Sequence, residues 1–157
     1  MALLTPLWTE EGWMYLATFI DIFSRLIVGW SMSSRMTADL VVDAFQMGVG
    51  RRGGNVSPMV HSDRGSQYAS KAFRDELKKY KCKQSMSRKA NCWDNAVAES
   101  FFATLKNELL HGRDYRTRDQ ARAEIFEYIE VFYNRQRIHQ TLGYHSPLAF
   151  EAIADVA

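Results

Sequence analysis

Two acidic side chains stand where metal-dependent chemistry would need them. Asp63 follows a short apolar run at residues 58–61, and Glu99 lies about one turn into a predicted helix that begins near Asp94. Carboxylates at a strand end and on a helix can share divalent ions, and two such ions stabilise the attacking and leaving oxygens of a phosphodiester. Mg²⁺ prefers oxygen ligands and keeps several waters, so few carboxylates suffice to hold it. The pattern is compatible with phosphoryl transfer on nucleic acid.

The same two acids also have an ordinary structural interpretation. The run from Ser62 to Gly65 has the composition of a tight turn. A glutamate in the first turn of a helix interacts favourably with the helix dipole. His61, beside the strand end, is interpreted as a structural group. From the residues alone, the metal-binding and structural interpretations of Asp63 and Glu99 both stay open.

Positive charge is concentrated in one part of the chain, although the formal net charge is only +2. Residues 51–90 contain eleven Lys and Arg side chains and three acids, whereas the rest of the chain is net negative. Basic charge beside a candidate metal site suits a polyanion such as nucleic acid. For the cluster between Lys78 and Lys83, a solvated helix face is an equally good explanation.

Length and composition predict one domain over residues 1–157, large enough to bury a core. The two cysteines, Cys82 and Cys92, are too few for a disulfide framework and are expected to be reduced. No apolar run approaches the roughly 20 residues that cross a bilayer, and no leader pattern is present. We therefore expect a cytoplasmic protein that does not contact a membrane.

Hydrophobic periodicity predicts the elements that position the two acids. Residues 13–20 and 26–32 read as an antiparallel hairpin. A helix over residues 38–48, with Thr37 as N-cap, is followed by strands at 58–61 and 82–86 on either side of a helix at 66–80. This order favours an α/β fold, with a mixed sheet flanked by helices.

The helix from Asp94 to about Leu110 is predicted to carry Glu99 beside its buried stripe, which contains Ala98, Phe102, Leu105 and Leu109. Lys106, seven positions after Glu99, is predicted on the same face. A capping box at residues 117–120 opens a further helix to about Asn134. The core face of that helix is predicted to contain Ala121, Ile125, Tyr128, Ile129 and Phe132.

Five blocks of sequence together carry a family resemblance. They are residues 11–13 with 20–30, residues 61–68, residues 85–88, residues 93–102, and Tyr133-Asn134 with Arg137 and residues 142–144. They resemble the catalytic core of bacterial insertion-sequence transposases with a retroviral-integrase-like domain, the DDE recombinases of RNase H-like fold. The interval from Asp63 to Glu99 also resembles that between the family's second and third acids. The resemblance covers nearly the whole chain.

The resemblance implies metal-dependent DNA strand cleavage and transfer at transposon ends, with no covalent protein intermediate. The implied cofactor is Mg²⁺ or Mn²⁺ in a two-ion site, with Asp63 and Glu99 as catalytic metal ligands. The implied partners are transposon-end and target DNA and further copies of the chain, at the bacterial nucleoid. The residues that would contact DNA are Lys106, Arg64, Arg88, Lys89 and Asn95, of which Asn95 is equally well explained as a helix cap.

The first strand departs from the family pattern. The family places an aspartate nine positions before Gly12, in an Asp-Ile/Phe-Thr-Tyr motif, where this chain has Leu3. Pro6 takes the aromatic position, and only Thr5 matches. Leucine cannot bind a metal, and Asp21 is the nearest acid that could substitute.

We therefore expect impaired catalysis and a chain truncated at its N-terminal strand, in which residues up to about Trp8 are a replacement start. The alternative is a catalytically inactive DNA-binding or oligomerising remnant of a transposase. A weaker alternative is a different RNase H-like nuclease that cleaves RNA–DNA hybrids.

Overall fold

A computed structural model describes residues 1–54, 56–86 and 96–155. The strands are β1 (Ala2–Thr9), β2 (Gly12–Ile20), β3 (Ile27–Ser33), β4 (Met59–Ser62) and β5 (Lys83–Met86). They form one mixed sheet in the order β3-β2-β1-β4-β5. The pairs β1–β2 and β2–β3 are antiparallel, whereas β4 runs parallel to both β1 and β5. The predicted hairpin and the α/β class are confirmed.

Five α-helices flank the sheet in the described part of the chain: α1 (Ala38–Arg51), α2 (Lys71–Lys79), α3 (Ala96–Leu105), α4 (Arg118–Phe126) and α5 (Pro147–Ala154). Wider π-helical turns prolong α3 over Lys106–Leu110 and α4 over Glu127–Tyr133. In these three ranges of described residues, no helix is long and apolar enough to cross a membrane.

The core lies on both faces of the sheet, because successive strand residues point to opposite sides. On one face, Met14, Leu16 and Ile20 of β2 belong to a buried cluster with residues of α3 and α4. On the other face, Ala17 and Phe19 belong to a second cluster with residues of α1 and α2. The interior strand β2 is therefore covered by helices on both sides.

Two helix boundaries differ from the sequence prediction. Helix α2 begins at Lys71 rather than near Ser66, because the Ser70 side chain caps it by accepting a hydrogen bond from the backbone N–H of Phe73 at 3.1 Å. Helix α1 continues to Arg51, beyond the predicted end at Gly48, and Thr37 occupies its N-cap without a side-chain hydrogen bond.

The predicted core face of α4 is wrong at one residue. Ala121, Ile125, Tyr128 and Ile129 are buried, but Phe132 is exposed and Tyr133 is buried instead. The π-helical stretch explains the difference, because an i→i+5 turn contains an extra residue and shifts the following side chains around the helix axis.

Strand β1 is formed along its whole length despite its unusual sequence. Each residue from Ala2 to Thr9 pairs with β2, whereas β4 pairs with β1 only at Ala2 and Ser62. Pro6, which lacks a backbone N–H, therefore lies beyond the part of β1 that β4 covers. Leu3 and Pro6, the two residues that depart from the family pattern, are therefore compatible with β1 as the central strand of the sheet.

Candidate functional site

Asp63 follows the last residue of β4 directly and lies beside the start of β1. Ala2 pairs with Ser62 in parallel register, so the next residues along, Leu3 and Asp63, are neighbours on adjacent strands, which lie about 4.8 Å apart. Val60 faces the cluster formed with α1 and α2. By strand alternation, Asp63 is directed to the opposite face, the one that α3 covers.

The turn after β4 holds the Asp63 carboxylate in place. Its Oδ1 accepts a hydrogen bond from the backbone N–H of Gly65 at 2.8 Å. Tyr68, also in this turn, is fully buried and packs edge-on against the ring of Phe73. Burial first, and then the nearby charge of Asp63, raise the pKa of Tyr68 above its usual value. Tyr68 is thus a core residue.

Helix α3 brings Glu99 to the same face of the sheet. It packs against β1 and buries Ala98, Phe101, Phe102 and Leu105, while Glu99 and Lys106 are exposed. Residues seven positions apart lie two turns apart on one side of a helix. Lys106 opens the π-helical extension of α3. Both side chains are accessible to a ligand.

Leu3 lies at the position where the resemblance implies a third carboxylate. It is half-buried and packs against the apolar cluster that contains the core residues of α3. Among the described residues, no group of three His, Cys, Asp or Glu side chains is arranged to hold a metal. The carboxylates of Asp63 and Glu99 are oxygen ligands of the kind that Mg²⁺ prefers. This donor set does not fit a complete two-ion centre.

Asp21, the acid considered as a substitute, is bound elsewhere. One carboxylate oxygen accepts from the backbone N–H of Phe23 at 2.9 Å and the other from the Arg52 guanidinium at 2.8 Å. Arg52 also binds Glu151 at 2.9 Å, and Ser24 donates a hydrogen bond to Glu151. Asp21 therefore links the β2–β3 turn to the end of α1 and to α5.

The other predicted site residues are only partly described. Arg64 is exposed in the turn after Asp63. Arg88, Lys89 and Asn95 lie outside the described residues. His61 contacts the Ser85 hydroxyl across the β4–β5 pair at 3.1 Å, which agrees with its structural interpretation.

The motif near residue 134 has a structural role at the start of β3. The buried Asn134 side chain accepts a hydrogen bond from the backbone N–H of Ile27 at 3.0 Å and donates to its carbonyl at 3.1 Å. Glu108, in the π-helical extension of α3, accepts hydrogen bonds from the Tyr128 hydroxyl at 2.6 Å and from the Arg137 guanidinium at 3.0 Å. The blocks that carry the family resemblance contain Ile27, Asn134 and Arg137, but they did not predict these contacts.

Comparison with known proteins identifies the family to which this chain belongs. Residues 4–92 and residues 99–153 match family models described as integrase core domain. The chain belongs to the integrase core domain family.

Particular relatives refine the position within that family. The chain is 49% identical over 148 residues to the transposase InsF for insertion sequence IS3A of Escherichia coli K12, covering 94% of this chain and 51% of that protein. It is 50% identical over 143 residues to the transposase for insertion sequence element IS904 of Lactococcus lactis, covering 91% of this chain and 56% of that protein. The chain spans about half the length of these curated relatives.

Solved structures agree on the fold. The HTLV-2 integrase catalytic core domain in complex with magnesium has a TM-score of 0.69 at 15% identity, covering 95% of this chain and 92% of that one. The BIV integrase catalytic core domain has a TM-score of 0.67 at 17% identity, covering 98% of this chain and 94% of that one. The predicted RNase H-like α/β fold is confirmed.

Proposed function

We propose that this chain acts as one integrase-type catalytic core in DNA transposition at the bacterial nucleoid, cleaving and joining DNA strands at the ends of an insertion sequence with impaired efficiency. The observation that carries the proposal is the position of Asp63. It follows β4 directly and is directed to the face of the sheet that α3 covers, and Glu99 is exposed on α3. The similarity to insertion-sequence transposases supports DNA as the substrate.

Each site residue has a proposed role. Asp63 and Glu99 are the carboxylates that would hold Mg²⁺ or Mn²⁺, which when bound polarises the phosphodiester and stabilises charge on its oxygens. Lys106 and Arg64 place positive charge where DNA phosphates would lie, fixing the position of the strand without reading its bases. Arg88, Lys89 and Asn95 are proposed as further DNA contacts.

The proposed oligomer is an assembly of several copies that brings two DNA ends together. One similar structure is described as an HTLV-2 integrase core in a trimeric form, and another as part of a viral intasome. In such an assembly, an intact subunit could supply the complete carboxylate set that this chain lacks.

The test is metal-dependent nicking of supercoiled plasmid DNA by the purified chain. We expect weak nicking with Mn²⁺ that is abolished by Asp63→Asn and by Glu99→Gln, while both variants melt at the wild-type temperature. Nicking that survives both substitutions would contradict the assignment. Strand joining is then measured with duplexes that carry the terminal sequences of the element encoding the chain.

The packing of Leu3 favours a second candidate function. Because an apolar side chain occupies the third carboxylate position, the chain could act as a catalytically silent DNA-binding or oligomerising subunit. In that case Asp63→Ala and Glu99→Ala retain or increase DNA affinity, since they remove negative charge near phosphates. No nicking by the wild type, together with unchanged or tighter DNA binding by both variants, selects this candidate.

A further inference from the structure

A second charged surface lies away from the two carboxylates, on α2 and the start of β5. Residues 71–83 contain six cations and two acids. Lys71 forms an ion pair with Asp75, and Lys79 forms one with Glu76 at 3.4 Å. In the described part of the chain, no acid pairs with the remaining four cations, which are Arg74, Lys78, Lys81 and Lys83. All four are exposed.

The packing of α2 places these cations on one side of it. The buried residues Phe73 and Leu77 face the core, and Glu76 accepts a hydrogen bond from Gln46 of α1 at 3.0 Å. Glu76 and Lys79 therefore occupy the flank that faces α1. At 100° per residue, Arg74 and Lys78 fall on the opposite flank, one turn apart.

That opposite flank faces the β5 edge of the sheet. Helix α1 packs on β2 and β3, and the strand order continues from there through β1 and β4 to β5. Moving across α2 away from α1 thus leads towards β5. Lys81, with φ of 55°, turns the chain from α2 into β5, and Lys83 is the first residue of that edge strand.

Helix α2 covers the face of the sheet opposite to the one towards which Asp63 is directed, so the β5 edge strand is what connects these cations with the carboxylate site. Lys83 pairs with Met59 in parallel register, four residues before Asp63. At about 3.3 Å per residue, Lys83 therefore lies about 13 Å from Asp63 along the strand direction. Along this direction the distance corresponds to a few nucleotides of one DNA strand at 3.4 Å rise each, so DNA that passes around the β5 edge would meet Lys83 first and then the cations of α2.

We propose that Arg74, Lys78, Lys81 and Lys83 form a track, the α2–β5 track, that binds backbone phosphates of the DNA engaged at the carboxylate site. The inference rests on the proposed function, because that function supplies DNA as the ligand. The cations of α2 also affect an acid of the same helix. The hydrogen bond from Lys71, together with the charges of Lys78 and Arg74, lowers the pKa of Asp75. Phosphates bound on this track would release counterions from DNA.

Lysine on an edge strand has a second physical effect, since it prevents pairing with other strand edges. Exposed charge on α2 also keeps the helix solvated. The experiment must therefore separate a specific phosphate contact from the general effect of net charge.

The experiment compares two double variants of the full chain that remove the same charge from the same helix. Arg74→Ala/Lys78→Ala removes two track cations, whereas the control Lys71→Ala/Lys79→Ala removes two cations already paired with acids. The affinity for a duplex of random sequence is measured by fluorescence anisotropy at several salt concentrations. Thermal melting checks that both variants remain folded.

We expect Arg74→Ala/Lys78→Ala to weaken binding about 30-fold at 0.15 M salt and to reduce the salt slope by about 2, because each neutralised phosphate contributes roughly 0.9 to that slope. The control should lose less than about five-fold. Lys81→Ala/Lys83→Ala should behave like the track variant.

Equal losses in the track variant and the control would overturn the track while leaving the proposed function in place. Absence of DNA binding by the wild type would overturn both. Binding to a poly-glutamate peptide is measured at the same salt concentration. If the wild type bound this peptide more tightly than DNA, the α2–β5 track would be assigned to an acidic protein partner, and the proposal would be overturned.

Discussion

Gly65 lies directly against the carboxylate of Asp63. Its backbone N–H donates to Oδ1 at 2.8 Å, and a Cβ added to residue 65 would lie only 2.9 Å from the same oxygen. The absence of a side chain at Gly65 thus allows the carboxylate to fold back onto the turn. The turn and the candidate metal ligand are one structural unit.

Gly65→Ala should displace the Asp63 carboxylate with little effect on folding. The atom that must move is the end of a flexible side chain, so the melting temperature should change by only a few degrees. Affinity for Mn²⁺, measured by calorimetry, should fall about as much as in Asp63→Asn. Unchanged Mn²⁺ affinity in the folded Gly65→Ala variant would show that the turn does not fix the ligand.

Gly29→Ala should be far more destabilising, because the obstruction there is backbone. A Cβ at residue 29 in β3 would lie 2.1 Å from the carbonyl oxygen of Ala44 and 2.6 Å from the nitrogen of Gly48, both in α1. Since α1 must move away from the sheet, we expect a loss of about 3 kcal/mol or more in the free energy of unfolding.

The matched control for that substitution is Gly50→Ala, on the exposed side of α1 with nothing within 4 Å of the added atom. It should raise stability by about 0.5–1 kcal/mol, since alanine is the better helix former. Urea denaturation checks both variants. Similar stabilities would contradict the close approach of β3 and α1.

Much of the fold was predictable because its signals are local. The apolar runs of β2 and β3, the position of Asp63 after β4, and the exposure of Glu99 beside a buried stripe follow from strand and helix periodicity. The start of α2 and the burial of Tyr133 in place of Phe132 were not predictable in this way. The first depends on which of several polar residues caps the helix, and the second on a π-helical turn.

The site was less predictable than the fold. Sequence spacing does not report that Leu3 and Asp63 are neighbours, because this depends on the parallel pairing of β1 with β4. Nor does it report that Arg52 binds both Asp21 and Glu151, which are contacts between residues far apart in the chain. Long-range pairing of this kind is set by tertiary packing.

His139 should make the stability of the protein depend on pH. Burial first, and then the charges of Arg137 and Arg25, lower the pKa of His139 to about 4, with Glu108 acting in the opposite direction. The unfolded chain has the ordinary histidine pKa near 6.5 and so binds the proton more readily. The stability contributed by neutral His139 is complete above about pH 6.5 and is lost as the pH falls towards 4.

We expect acidification from pH 7 to pH 5 to cost about 1 kcal/mol of folding free energy through His139, after allowance for solvent screening of a half-buried group. Chemical denaturation at the two pH values measures this loss, which should be smaller in His139→Gln. His145→Gln, which changes an exposed imidazole in the same loop, should retain the wild-type loss. Equal losses in the two variants would contradict the role of His139.

Leu3→Asp should complete the carboxylate set. Because Leu3 neighbours Asp63 on the adjacent strand, an aspartate there would lie within bridging reach of an ion held by Asp63. We expect at least ten-fold tighter Mn²⁺ binding and faster nicking of plasmid DNA. Leu4→Asp is the matched control, since Leu4 is also half-buried but packs on the opposite face of the sheet. Both variants should lose comparable stability without metal, so equal Mn²⁺ affinities would show that position 3 does not face the site.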